Sequence, residues 1–250
     1  MSFLNCPNLP EGPVKLAVVD ERISSQAEES FYKLGVRLLK IKPHKNLYEA
    51  VRSHPDMMLH HIADNEIVYA PGTDAKLLRA LMLFGFKLIS GENELYCKYP
   101  NDIAYNVARV GNKYFHNLRY TDPVIANRLC ELGIEPVHVE QGYSKCSVLP
   151  IDENSIITSD AGIAKAAEKK GLEVLSIENE SSILLPGLNY GFIGGAGGML
   201  GKTLCAFNGN LNKLNNARCI SEFLERKRIA HIALSDGYVT DIGSILPLMI

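Results

Sequence analysis

Lys145 and Cys146, neighbours in the stretch GYSKCSVLPI (Gly142 to Ile151), are the side chains of this 250-residue sequence most suited to covalent chemistry. A thiol attacks carbon as its thiolate, and a nearby ammonium group favours that form. Three carboxylates, Asp56, Asp102 and Asp241, stand where strands are predicted to begin. If they converge on one cavity they suit a small guanidinium or amine ligand, because charge-assisted, bidentate hydrogen bonds match its shape. For proton transfer the sequence offers His60, in the pair His60-His61, and Tyr143. An imidazole works as acid and base near neutral pH, but strand alternation turns only one of two adjacent histidines toward a given face. The plainer alternatives are a small core residue for Cys146, a packed core histidine for His60, and strand-start aspartates that bond local amides.

Other site types find little support. The six cysteines never form Cys-x-x-Cys, which points to free thiols in a reducing, cytoplasmic setting and to no zinc or disulfide framework. No metal and no cofactor is expected. AGGMLGKT (Ala196 to Thr203) is similar to a phosphate-binding loop, but the strand-like TLCAF follows it where a helix N-terminus would be needed. A net charge of -2 without a long basic run gives no footprint for nucleic acid. Ile183 to Leu200 is long and nearly uncharged, yet Pro186 and its glycines make it a loop and buried strand, with no membrane partner. The N-terminal residues do not read as a signal peptide.

The elements that must position these residues repeat along the chain. An amphipathic helix ending in Gly and then a short strand is predicted at FYKLGVRLLKI, LMLFGFKLIS, RLCELGIEPVHV and AAEKKGLEVLSI, with Gly35, Gly85, Gly133 and Gly171 at the helix ends. A fifth copy, FLERKRIAHIAL, has Lys or Arg in place of Gly. Capping residues precede the helices: Asp20 to Ser25, Thr73-Asp74, Thr121-Asp122-Pro123, Ser159-Asp160 and Asn210 to Asn212. Ahead of four of them a hairpin is expected, turning near Asn65, Gly111-Asn112, Asn154 and Gly201, with Lys145 and Cys146 on the third hairpin's first strand. The unit is strand, strand, helix, strand.

VKLAVVD (Val14 to Asp20) enters its helix without a preceding hairpin strand, and TDIGSILPLMI at the C-terminal end is a strand with no helix after it. Pairing the two completes a fifth unit and leaves no open sheet edge. The expected fold is therefore α/β: a five-bladed α/β propeller with pseudo-five-fold symmetry, a single domain over residues 1–250.

Such a ring resembles the pentein, or guanidino-group-modifying-enzyme, fold of arginine deiminase, dimethylarginine hydrolases and amidinotransferases. GSILPL is similar to that superfamily's terminal Cys-x-x-Leu-Pro-Leu strand, with Gly243 at the Cys position. GYSK is similar to its Gly-x-His-Leu-Lys strand, with Lys145 matching and Tyr143 at the His position. The resemblance implies inner strands around a central channel, with carboxylates that hold a cationic substrate. With both catalytic positions changed, two functions stay open. One is an amidine- or guanidine-directed hydrolase or transferase whose nucleophile has moved to Cys146, with Asp56, Asp102 and Asp241 orienting the cation. The other is a catalytically silent ring that binds a small cation or a protein partner.

Overall fold

The structure, a computed structural model, describes residues 1–178 and 182–250. In chain order it contains β1 (Leu16–Asp20), α1 (Ser25–Lys33), β2 (Arg37–Ile41), β3 (Leu59–Ala63), β4 (Glu66–Tyr69), α2 (Ala75–Leu83) and β5 (Lys87–Ser90). Then follow β6 (Ala108–Val110), β7 (Lys113–His116), α3 (Pro123–Glu131), β8 (Glu135–His138), α4 (Ser144–Ser147), β9 (Val148–Asp152), β10 (Ser155–Thr158), α5 (Ala161–Lys169) and β11 (Glu173–Ser176). The chain continues with β12 (Gly197–Gly201), β13 (Leu204–Phe207), α6 (Ala217–Arg226), β14 (Ala230–Ala233) and β15 (Leu246–Met249).

Four helices start where a short polar side chain accepts an unpaired first-turn amide: Ser24 from Ala27, Asp74 from Lys76, Asp122 from Val124 and Asp160 from Ile163. The sequence expectation fails for α6. Asn210 instead caps a single 3-10 turn at Leu211–Lys213, and the helix begins later, after Asn216, whose side chain makes no capping bond. Each helix buries one stripe, such as Ala27 and Phe31, Leu77 and Leu81, or Ile125 and Leu129. Burying each large apolar side chain is worth about 1.5–3 kcal/mol.

The helix ends share one geometry. Gly35, Gly85, Gly133 and Gly171 have φ of 70°, 93°, 68° and 82°, and the next residue's N–H returns to a carbonyl of the last turn, as from Val36 to Phe31. In the fifth copy Arg228 takes this left-handed position at φ 58°, and Ile229 bonds back to Leu224.

The strands form five three-stranded sheets, each joining an antiparallel pair to a parallel one across a helix: β3-β4-β5, β6-β7-β8, β9-β10-β11, β12-β13-β14 and β15-β1-β2. The last is assembled from both ends of the chain, with Leu16 opposite Met249 and Val18 opposite Leu246. AGGMLGKT lies across the β12-β13 hairpin, and Ile183 to Leu200 is loop followed by β12. No helix among the described residues is long and apolar enough to cross a membrane.

One expectation is corrected in a way that matters for the chemistry. Lys145 and Cys146 are not on a strand: they occupy the four-residue helical turn α4 directly before β9. Neighbours there diverge by about 100° instead of the 180° of a strand, so both reach the same buried region. Similarly, Asp241 and Gly243 lie before β15, in a segment where Gly243 and Ser244 are successive left-handed residues at φ 67° and 74°.

Candidate active site

The segment preceding the first strand of each unit lies outside the sheets, and the five segments are bonded to one another in a closed cycle. The Asn106 side-chain amide donates to the Asp56 carbonyl, and the amide of Lys145 donates to the carbonyl of Asn106. Gly195 donates to the Cys146 carbonyl, Ser244 to the Gly195 carbonyl, and Asp56 to the Gly243 carbonyl. Residues far apart in sequence thus meet because each stands at the same place in its unit.

At the centre, the Cys146 thiol donates to Asp56 Oδ2 at 3.1 Å. Asn106 holds the group in place: its Nδ2 donates to the sulfur at 3.2 Å, while its Oδ1 accepts from the backbone amides of Lys145 and Cys146 at 2.8 and 3.2 Å. Ser244 Oγ lies 2.7 Å from Asp56 Oδ2 and 2.8 Å from the Gly194 carbonyl, and accepts from Lys145 Nζ at 2.8 Å. Lys145 therefore faces Ser244 and Gly194, and its contact with Asp56 runs through the serine. It makes no hydrogen bond to the sulfur.

The electrostatics follow from burial. Desolvation, followed by the Asp56 and Asp241 charges, pushes the Cys146 thiol well above its ordinary value, so the group rests as a thiol. Burial raises Asp56 against the opposing charge of Lys145, and lowers Lys145 against that of Asp56. Asp241 is raised to about 7 by burial and then by Asp56, although it accepts the amides of Gly243 and Phe192. A further cation would relieve the crowding of these acids and bring the thiol down.

Beside this cluster is a cavity of about 240 Å³, lined by Cys146, His54, Asp241, Tyr48, Tyr143 and Phe192 among others. His54 is fully buried, its two ring nitrogens have no hydrogen-bond partner, and burial lowers it to about 3. Tyr143 donates to Asp102 Oδ2 at 2.6 Å and packs 6.5 Å, centroid to centroid, from Phe192. Burial and the Asp102 carboxylate push the Tyr143 phenol up, so it keeps its proton. A second cavity, of about 270 Å³, lies between Cys6, Glu11, Asp152, Glu153 and Lys202; of its four charged side chains, those of Glu11, Glu153 and Lys202 are exposed and that of Asp152 is half-buried.

The structure thus brings together Asp56, Lys145, Cys146 and Asp241, and links Asp102 to their cavity through Tyr143. His60 sits elsewhere, with His61, Pro7, Asn8 and Pro247 around a narrow cavity that reaches Asp56 and Lys145. His61 bonds the Asp64 carbonyl. The imidazole lining the Cys146 cavity is His54. That residue, Asn106 and Ser244 carry no sequence signal beyond their place just ahead of a first strand.

Residues 18–246 match the sequence profile of a family of unknown function, DUF6873. The chain belongs to that family. No curated protein matches this DUF6873 chain in sequence. Solved structures do match in three dimensions. The amidinotransferase SxtG of Microseira wollei gives a TM-score of 0.58 at 12% identity, over 92% of this chain and 91% of its own. The inosamine-phosphate amidinotransferase of Streptomyces griseus gives 0.60 at 10%, over 98% and 97%. Agmatine deiminase of C. jejuni gives 0.59 at 12%, over 95% and 93%. At such identities the likeness speaks for fold, and the fold is that of the penteins. In the DUF6873 chain the Gly243 position also has no room for a side chain: a Cβ there would lie 2.2 Å from Cβ of His54.

Proposed function

We propose that this chain is an amidine- or guanidine-directed hydrolase or transferase with Cys146 as nucleophile, built as a five-bladed α/β propeller and working in the cytoplasm, where its free cysteines stay reduced. The observation that carries the reading is the Cys146 Sγ to Asp56 Oδ2 contact of 3.1 Å beside a cavity lined by Cys146, Asp241 and His54. The fold supports it, since neighbours of this architecture include amidinotransferases and a deiminase.

In this reading a cationic amidine or guanidine enters beside Asp241 and Asp56, and its charge lowers the thiol. The sulfur attacks the central carbon as the S–H proton passes to Asp56 Oδ2. The C–N bond breaks, and that proton leaves with the departing amine. The resulting amidino-thioether is resolved by water, giving a urea or amide, or by a second amine, giving a new amidine. Either route breaks the C–S bond and returns a proton to the sulfur. Asp241, raised to about 7, is matched to accepting the proton of the incoming nucleophile. Lys145 offsets the Asp56 charge through Ser244, and Asp102 holds Tyr143 as a neutral wall of the cavity.

The test is incubation with arginine, methylated arginines, agmatine and simple amidines, followed by product analysis, together with labelling by a haloacetamidine mapped by mass spectrometry. Turnover that Cys146→Ser abolishes, with guanidine-suppressible labelling of Cys146, is the expected result. If no compound is consumed and Cys146 labels no faster than Cys6, the enzyme reading fails and the protein is a silent ring.

A further inference from the structure

The same cavity wall holds a second chemical possibility that does not depend on turnover. His54, Asp56 and Cys146 each offer one ligand atom, and these atoms lie within 4.8 Å of one another in a fully buried cluster. Both ring nitrogens of His54, together with Asp56 Oδ1, have no hydrogen-bond partner. Leaving such groups buried and unpaired costs about 1–3 kcal/mol each, which a packed core ordinarily avoids. An imidazole lone pair, a carboxylate and a sulfur turned toward one another are satisfied together by a cation.

We propose that His54, Asp56 and Cys146 bind one divalent cation of borderline softness, of the zinc class, whose fourth coordination position faces the cavity. The donor set makes this choice. Sulfur, nitrogen and oxygen in one site suit zinc, whereas magnesium and calcium take oxygen ligands. Zinc bonds of about 2.0–2.3 Å require ligand atoms within about 3.3–3.7 Å of each other, so the three groups close by about 1 Å. Cys146 and Asp56 are already 3.1 Å apart. The S–H proton between them is released to solvent when the ion binds, and thiolate plus carboxylate then balance its two charges.

Partners for these ligands are in place behind them. Asn106 Nδ2 lies 3.2 Å from the sulfur, Ser244 Oγ 2.7 Å from Asp56, and Asp241 Oδ1 3.8 Å from His54 Nδ1. A carboxylate beside an imidazole is the kind of outer partner that fixes a ligand's tautomer. With the ion bound, the sulfur lone pair is engaged, so ion and amidine compete for the site.

Chelator-treated protein is titrated with Co²⁺ and followed by absorption for the thiolate-to-cobalt charge-transfer band. One equivalent should produce the band, and Zn²⁺ should displace it. Cys146→Ser and His54→Gln should lose it, while Cys6→Ser keeps it. On the unmodified chain, one equivalent of Zn²⁺ should slow alkylation of Cys146, mapped by mass spectrometry, by at least tenfold; this arm holds even if a variant fails to fold. Absence of the band, its survival in Cys146→Ser, or unprotected Cys146 overturns the proposal. Amidine turnover by the metal-free protein is a separate reading: its absence would count against the enzyme and leave the ion site untouched.

Discussion

His54 occupies the volume into which a side chain at position 243 would project, with only 2.2 Å between its Cβ and a Cβ built on Gly243. Gly243 is also left-handed, at φ 67°. Gly243→Ala should therefore destabilise the protein by about 3 kcal/mol, combining the left-handed penalty with overpacking. His54→Gly in the same background should recover only part of the packing share, since the His54 Cα, 2.5 Å from that Cβ, stays in place; a urea-denaturation double-mutant cycle would reveal the coupling. Additive losses would contradict the overlap.

After desolvation, the Asp56 charge does most to raise the Cys146 thiol, and in the proposed reaction Asp56 takes its proton. These roles separate in Asp56→Asn. Alkylation of Cys146 near pH 8 should become faster, because removing the carboxylate charge lowers the thiol and raises its thiolate fraction, while the larger share of the shift, from burial, remains. Guanidine turnover should fall by about a hundredfold, the share of a positioned base. Unchanged or slower alkylation would show that burial without Asp56 suffices to hold the thiol protonated.

Asp241 is raised in the folded protein, from an unfolded value of 3.8 to about 7. Its contribution to stability is fully present below 3.8 and is lost as pH rises through 7. The buried histidines His54, His60, His61 and His116 act oppositely: lowered to about 3 or 4, they favour folding above 6.5 and cost stability as pH falls. The Asp241 effect is thus read as a difference. Asp241→Asn should carry a constant loss from a mismatched amide contact. Its stability relative to the parent should rise between pH 4 and 7.5 by on the order of 2 kcal/mol or more. Parallel denaturation curves across that range would refute the shift.

Arg228 holds at φ 58° a position that glycine fills in four other helix ends. Its side chain makes no ion pair or hydrogen bond among the described residues. Arg228→Gly should stabilise the protein by about 0.5–1 kcal/mol, the relief of left-handed strain less the added entropy of the unfolded chain. Thermal unfolding would register it as a higher Tm; a lower one would assign the arginine a contact of its own.

Much of the architecture was readable because each unit ends its helix in a way that demands a particular residue. Gly35, Gly85, Gly133 and Gly171 mark those ends; in the fifth copy the sequence shows only that Lys or Arg replaces Gly, and the structure puts the left-handed position at Arg228. Asp56, Cys146 and Asp241 could be brought together on paper by counting back from each hairpin. His54 does not stand out in this way: it is the N-cap of the 3-10 turn Pro55–Met57 ahead of β3, too short to carry a period, whereas His60 sits on the strand itself. For Lys145 and Cys146 the error was one of local geometry. A four-residue helical turn is too short to leave a periodic trace, and a run ending in Val148-Leu149 reads as strand.

The pairing of Leu16 with Met249 and of Val18 with Leu246 sets an order on biosynthesis. At roughly 5–20 residues per second, β1 and β2 leave the ribosome on the order of ten seconds or more before the strand that completes their sheet. Throughout that interval β1 has a free edge, and the apolar face that Leu246 and Leu248 later cover is open to chaperones or to β1 of a neighbouring nascent chain. Asp241 and Ser244 arrive in the same late segment. The buried cluster around Cys146 is consequently assembled only when the sheet closes.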